Sequence, residues 1–162
     1  MTRVWTLRGG QPVIPAAGSN NRLCVYGALN HRTGQTHCMA HPKKNAQPFG
    51  EFLRQLLEAH SERRWVLVID NASYHRTKAI RGLLDEHQGH APVIWLTPYS
   101  PELNLIEGVW GYLKRSALNN YFFGKIESLE AAIHQIFAQF QQHPDTALSL
   151  TYKTNTNLPH TA

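Results

Sequence analysis

Two acidic residues occupy positions from which carboxylates commonly act on a ligand. Asp70 ends the apolar run WVLVID, and Glu107 lies in LTPYSPELNLIEGVWGYLKR, at the border of an apolar helical face. Open α/β sheets place ligand-binding groups beyond the carboxyl ends of their strands, which is where Asp70 stands. Two carboxylates at one sheet end favour a divalent metal site, because Mg²⁺ prefers carboxylate oxygens and keeps positions for water and phosphate. The alternatives are structural: Asp70 as a cap of the following turn, and Glu107 as a solvated helix residue.

The elements that would position these acids alternate between strands and helices. Two β-rich stretches, residues 22–29 and 35–39, flank the polar turn NHRTG and predict a hairpin. Residues 65–70 and 91–96 are short, almost continuous apolar runs, which are typical of strands covered on both faces. We therefore predict an α/β fold with one mixed sheet and helices on its faces.

Four segments carry apolar residues at helical spacing, which predicts four helices. Their apolar faces are Phe49, Phe52, Leu53, Leu56 and Leu57; Ile80, Leu83 and Leu84; Leu103, Ile106, Trp110 and Leu113; and Leu129, Ile133, Ile136, Phe137 and Phe140. The third helix is expected to start with Ser100 as its N-cap and Pro101 at the first helical position. We expect one domain over residues 1–150, followed by a polar, flexible tail over residues 151–162.

Composition narrows the class of protein. The chain has 162 residues, 42% of them hydrophobic, and no apolar run approaches the roughly 20 residues of a membrane span. The sequence lacks an apolar leader and has two cysteines, so we expect a cytoplasmic protein with no membrane partner and no disulfide framework. A net charge of +5 is compatible with a polyanionic partner such as nucleic acid, although it is also common on proteins that bind none.

Two segments carry a resemblance to a known family. The stretches DNASYHRT (residues 70–77) and LTPYSPELNLIEGVW (residues 96–110) resemble the last two catalytic blocks of DDE transposases of the mariner superfamily, which includes bacterial insertion-sequence enzymes. The segments TRVWTLRGGQPVIPAAG and RLCVYGALNHRTG are similar to the region between the family's first and second acids. Thr97 and Leu105 depart from the family, which usually has proline there.

The resemblance implies metal-dependent DNA cleavage and strand transfer in DNA transposition. In the family, two Mg²⁺ or Mn²⁺ ions held by three carboxylates flank the scissile phosphate, and Asp70 and Glu107 match the second and third of these acids. Residues expected to line the site are Asn71, His75 and Asn104, and residues expected to follow the DNA backbone are Arg76, Lys78, Arg81, Lys114 and Arg115. A structural hydrogen bond or a solvated surface charge is the alternative for each.

The family's first catalytic Asp has no counterpart in this sequence, where no acidic residue precedes Glu51. The resemblance thus implies a ribonuclease-H-like domain without its first strand, truncated at the N-terminus, and without the family's helix-turn-helix module. We expect an upstream polypeptide to supply that Asp and module. The opened sheet edges should lead to one of three outcomes: closure of the sheet with a shifted pairing, replacement of the strand by residues 2–7, or self-association.

Two alternatives remain open at this point. The first is a catalytically incomplete remnant that binds DNA or a transposase partner without chemistry of its own. The second is an unrelated α/β protein that uses Asp70 as a phosphoryl acceptor, against which the specific block around Glu107 argues.

Overall fold

The computed structural model describes residues 23–98, 100, 103–118 and 125–155. These residues form four strands, five α-helices and two short helical turns. In chain order they are β1 (Cys24–Leu29), β2 (Thr36–His41), α1 (Ala46–Ala59), β3 (Leu67–Ile69), a 3₁₀ turn (Ser73–Arg76), α2 (Lys78–Glu86), β4 (Val93–Trp95), α3 (Glu107–Leu113), a π-helical turn (Lys114–Leu118), α4 (Ile126–Gln142) and α5 (Pro144–Asn155). The predicted α/β class is confirmed. The expected surrogate strand at residues 2–7 lies outside the described residues.

The hairpin of β1 and β2 is antiparallel, with a register that runs from Cys24 opposite His41 to Leu29 opposite Thr36. The Asn30 carboxamide oxygen accepts hydrogen bonds from the backbone N–H groups of Arg32 and Thr33, which closes the turn. Gly34 follows with a φ of 75°, and a Cβ there would clash with the carbonyl oxygen of Pro144. Glycine is therefore required at this position both for the backbone conformation and for contact with the start of α5.

Helix α1 begins at an asparagine cap and buries the predicted face. The side chain of Asn45 accepts a hydrogen bond from the Gln47 N–H, which satisfies one of the free donors of the first turn. All five residues of the predicted apolar face are buried. Together with apolar residues of α2, β1 and β3 they form the first core of the molecule.

Strands β3 and β4 form a parallel pair, with Leu67 opposite Val93 and Ile69 opposite Trp95. The expectation that both strands are covered on both faces is wrong. Val66, Val68 and Ile94 are 54%, 51% and 55% exposed, whereas Ile69 is buried in the first core. Only one face of this pair meets helices α1 and α2, because the other helices pack against the hairpin instead.

The two strand pairs are separate sheets in the described part of the chain. One sheet contains β1 and β2, and the other contains β3 and β4. The single mixed sheet of the ribonuclease-H-like prediction, with its missing first strand, is therefore not established by the described residues.

Helix α3 begins at Glu107, several residues later than the predicted start, and Ser100 is not its N-cap. The Ser100 hydroxyl instead accepts a hydrogen bond from Thr97 Oγ1 at 2.8 Å. The N–H of Leu103 donates to the Ser100 carbonyl, and the N–H of Glu107 donates to the Asn104 carbonyl. Leu103, placed on the predicted helix face, lies outside the helix and is exposed. Pro101 lies outside the described residues.

Helices α3, α4 and α5 form a second core on the other face of the hairpin. The predicted face of α4 is confirmed, with Ile133, Ile136, Phe137 and Phe140 buried. Helix α5 was not predicted, because its sequence PDTALSLTYKTN has too few apolar residues for a clear helical pattern. It includes residues 151–155 of the segment expected to be a tail.

The alternation of side chains along β1 explains how one hairpin serves two cores. Tyr26 and Ala28 point into the first core, and Val25 and Leu29 point into the second. Gly27 shares the second face, where its missing side chain makes room for the ring of Trp110. This contact fixes α3, and hence Glu107 at its first position, against the hairpin.

Candidate active site

The Asp70 carboxylate lies directly after the last residue of β3. Its Oδ1 accepts a hydrogen bond from the Ala72 N–H at 3.0 Å and lies 2.7 Å from Nδ1 of His75. The side chain remains 47% exposed. The turn role that we considered as the alternative for Asp70 is thus real, but it occupies only one of the two oxygens. In the described part of the chain, no group donates a hydrogen bond to Oδ2.

Asn71 connects the ends of the two parallel strands. Its Nδ2 donates a hydrogen bond to the carbonyl oxygen of Leu96, the residue that follows β4. The N–H of Leu96 in turn donates to the Ile69 carbonyl at 2.9 Å, which extends the pairing beyond the strands. Asn71 therefore makes the structural hydrogen bond that was considered as the alternative to lining the site. It places the loop that carries Asp70 beside the chain that leads from β4 to Glu107.

His75 is buried within a cluster of aromatic rings. Its imidazole lies 3.9 Å from the ring of Phe49, measured between centroids, and 4.2 Å from the ring of Tyr74. Its backbone N–H donates to the Ala72 carbonyl at 2.9 Å, which fixes the turn from which the side chain projects. Because an ionised carboxylate can only accept, the short contact with Asp70 requires a proton on Nδ1.

The surroundings of Asp70 favour its charged form. The hydrogen bond from His75 holds the pKa of this carboxyl below its ordinary value; partial burial opposes the effect, and the Ala72 N–H and the charges of His75 and Lys44 support it. Asp70 is therefore ionised at neutral pH and available to a cation.

Lys44 is a residue of this neighbourhood that the sequence did not reveal. Its ammonium group lies 5.7 Å from the ring centre of Tyr74, and its charge helps to lower the pKa of Asp70. Burial, and next the charge of Asp70, raise the pKa of Tyr74 to about 12, so this phenol is neutral. Lys44 lies in the loop before α1, and no motif or spacing in the sequence connects it with Asp70.

Glu107 occupies the first position of α3, at intermediate exposure. Its backbone N–H donates to the Asn104 carbonyl at 2.9 Å, so Asn104 acts here through its main chain. The fully buried Val109 and the buried Leu113 hold the helix in the second core. Among the described residues, no lysine, arginine or histidine lies within ion-pair distance of the Glu107 carboxylate. The carboxylate is therefore not neutralised by a neighbouring described side chain.

The five basic residues expected to follow DNA are exposed in the structure. Arg76 stands over the indole of Trp95, with its guanidinium 5.7 Å from the ring centre. Lys78 and Arg81 lie on α2, and Lys114 and Arg115 lie on the turn after α3. Within the described ranges none of the five forms an ion pair with a carboxylate. Their charges are thus not compensated by described acids.

The described residues contain no group of three or more His, Cys, Asp or Glu side chains placed to hold a metal ion. Asp70 and His75 lie in the segment that follows β3, whereas Asn104 and Glu107 lie before and at the start of α3. Among the described residues, no hydrogen bond or ion pair joins the first pair to the second. In the part of the chain that the structure describes, no helix is both long and apolar enough to cross a membrane.

Comparison with known proteins identifies the family. The family model described as DDE superfamily endonuclease matches residues 1–130. The chain belongs to the DDE superfamily endonucleases. The resemblance to DDE transposases of the insertion-sequence type, drawn above from two segments, is thereby confirmed.

Two relatives of this DDE superfamily endonuclease are matched over different shares of their own length. An insertion element IS630 uncharacterized 39 kDa protein of Shigella sonnei is 28% identical over 118 residues, which are 72% of this chain and 34% of the relative. The uncharacterized protein y4pE/y4sA of Sinorhizobium fredii is 26% identical over 100 residues, 61% of this chain and 70% of the relative. The matched part of the chain thus spans about a third of the first relative.

Proposed function

We propose that this chain is the catalytic part of a transposase that cleaves DNA and transfers its strands with divalent metal ions. Asp70 and Glu107 are the two carboxylate ligands in this proposal. The observation that carries it is the state of Asp70: ionised, at the carboxyl end of β3, with one oxygen held by hydrogen bonds and the other uncommitted. Carboxylates of this kind suit Mg²⁺, which binds through one or two of them while retaining water.

The donor set fits Mg²⁺ or Mn²⁺ better than a softer metal, because both proposed ligands are oxygen donors. When bound, a pair of such cations activates the attacking oxygen and stabilises the leaving oxygen of the phosphodiester. The residues of this chain would hold and orient the metal ions. Asp70 and Glu107 would bind them, Asn71 would keep the two loops together, and Asn104 and His75 would line the site.

Contact with DNA is proposed through the exposed basic residues. Arg76 leads from the turn that carries His75, and Lys78 and Arg81 continue along α2. Lys114 and Arg115 lie on the turn that follows α3, the helix that begins at Glu107. To these we add Lys44, whose ammonium group lies 5.7 Å from the ring centre of Tyr74 and whose charge helps to lower the pKa of Asp70. Phosphate contacts from such residues position a nucleic acid without reading its sequence.

The third carboxylate of the family's metal site has no candidate before Glu51 in this sequence. We propose that an acid-bearing strand between β1 and β3 supplies it and joins the two described sheets into one ribonuclease-H-like sheet. The alternative is a catalytically incomplete remnant that binds DNA or a transposase partner. The absence of a three-ligand cluster among the described residues favours this alternative for the chain alone.

Nicking of supercoiled plasmid DNA in Mg²⁺ or Mn²⁺ tests the proposal. We expect nicking when a polypeptide that carries this strand and its Asp is added, and loss of nicking in Asp70→Asn and Glu107→Gln. Asp85→Asn and Glu86→Gln, which remove equal charges from exposed positions of α2, serve as matched controls. If no nicking occurs with the added polypeptide, the non-catalytic alternative is supported. If the α2 control variants lose as much nicking as Asp70→Asn and Glu107→Gln, the assignment of these two acids to the site is wrong.

A further inference from the structure

The two oxygens of the Asp70 carboxylate are in different situations. Oδ1 is bound on two sides, by the Ala72 N–H and by His75 Nδ1. Oδ2 receives no hydrogen bond from any residue that the structure describes. A free aspartate side chain rotates about its terminal bond, since that torsion has a broad energy profile. Two bonds to the same oxygen restrict this rotation, and with it the direction in which Oδ2 points.

The imidazole that makes the shorter of these contacts is itself immobilised. His75 is buried and stacks on Phe49, a residue of the first core, at an interplanar angle of 32°. Tyr74 meets the same imidazole almost edge-on, at 73°. The bond from the Ala72 N–H alone would leave the carboxylate free to tilt about it. The core thus determines the orientation of the acid through His75.

We propose that His75 is a positioning residue that directs Oδ2 of Asp70 toward the metal ion by holding Oδ1 through its Nδ1–H. This inference rests on the proposed function, because it takes Asp70 to be a metal ligand. It assigns His75 a different role from contact with substrate: the imidazole acts through Asp70 and touches neither the metal nor DNA. Groups that orient metal ligands in this way typically affect metal affinity by about 10–100-fold.

Mn²⁺ binding to the full chain, followed by calorimetry and by the electron paramagnetic resonance signal of free Mn²⁺, tests this role. His75→Asn keeps an amide donor at the same bond distance from Cβ as Nδ1, whereas His75→Gln moves the donor one bond further and His75→Leu removes it. We expect His75→Asn to retain most of the parent's affinity and the other two variants to lose about 10–100-fold. His87→Leu is the control, because His87 Nδ1 donates to the Leu83 carbonyl at the far end of α2.

A second measurement does not depend on metal. Nitrogen NMR of the metal-free chain should find the His75 proton on Nδ1, and a proton on Nε2 alone would overturn the inference. Equal Mn²⁺ affinity in the parent, His75→Gln and His75→Leu would also overturn it while leaving the proposed metal site intact. Mn²⁺ binding that does not change in Asp70→Asn would instead refute the proposed function and this inference together. Thermal melting of each variant separates loss of affinity from loss of folding.

Discussion

The ring of Trp110 lies directly against Gly27, so that a Cβ at Gly27 would be 2.5 Å from Cη2 of the indole. Trp110 is on α3, one turn after Glu107, and Gly27 is in the middle of β1. The contact is therefore the point at which the helix that starts with Glu107 is fixed to the hairpin. The position of this carboxylate depends on the absence of a side chain on a strand remote in sequence.

The first prediction concerns this contact. Gly27→Ala should destabilise the chain by about 1–3 kcal/mol, since an added methyl group in a filled space forces neighbours to shift. Urea denaturation followed by tryptophan fluorescence measures the change. Gly82→Ala is the matched control: Gly82 lies within α2, and nothing is within 4 Å of the Cβ that it would acquire. There the same substitution should stabilise by about 0.5–1 kcal/mol, through helix propensity. A Gly27→Ala variant as stable as the parent would show that the indole is not held there.

The second prediction concerns the pH dependence of stability in metal-free buffer. The pKa of Asp70 is lowered in the folded chain, so its charged form stabilises folding at pH values above its ordinary pKa, about 3.9. This contribution is lost as the pH falls through the lowered, folded-state pKa. The melting temperature of the parent should exceed that of Asp70→Asn at neutral pH, and the gap should close in acid. In a His75→Leu background the gap should be smaller throughout, because His75 is the main cause of the shift.

A gap between the parent and Asp70→Asn that widens as the pH falls would contradict this account. It would mean that the folded chain favours the protonated carboxyl, as burial alone would require.

Much of the fold was predictable because local sequence determines it. The apolar faces of α1 and α4 are regular, and their helices agree with the expectation. The predicted start of α3 was wrong. Ser100 and Pro101 match a capping pattern, but the Ser100 hydroxyl accepts a hydrogen bond from Thr97 instead. Whether an apolar strand is covered depends on the packing of distant helices, which the run WVLVID does not reveal.

The residues of the candidate site also fall into two groups: those that the local sequence identifies and those that only the fold brings together. Asp70, Asn71 and His75 are neighbours in sequence, and the turn that follows β3 brings them together. Lys44 joins them only through folding, from the loop between β2 and α1, so no local pattern could identify it. Glu107 was predicted both from its place at the border of an apolar helical face and from its match to the family motif.

The third prediction concerns DNA. Binding should be weak, indifferent to sequence and strongly reduced by salt, because phosphate contacts dominate in the absence of a groove-reading element. Lys44→Gln and Arg76→Gln should each lower the slope of log affinity against log salt by about one. Fluorescence anisotropy with two unrelated duplexes at several salt concentrations measures both properties. Lys125→Gln, an exposed cation at the start of α4, is the control and should leave the slope unchanged. Tight binding to only one of the duplexes would contradict the prediction.

The most direct test of the central claim asks whether Asp70 and Glu107 share a metal site. Fe²⁺ bound in place of Mg²⁺, with ascorbate and peroxide, generates hydroxyl radicals that cut the polypeptide next to the metal, and mass spectrometry locates the cuts. The account predicts cuts near both residue 70 and residue 107, competed by Mg²⁺ and lost at both places in Asp70→Asn and in Glu107→Gln, but retained in Asp85→Asn. Cuts near only one of the two acids, or cuts at one that persist when the other is replaced, would contradict a shared metal site.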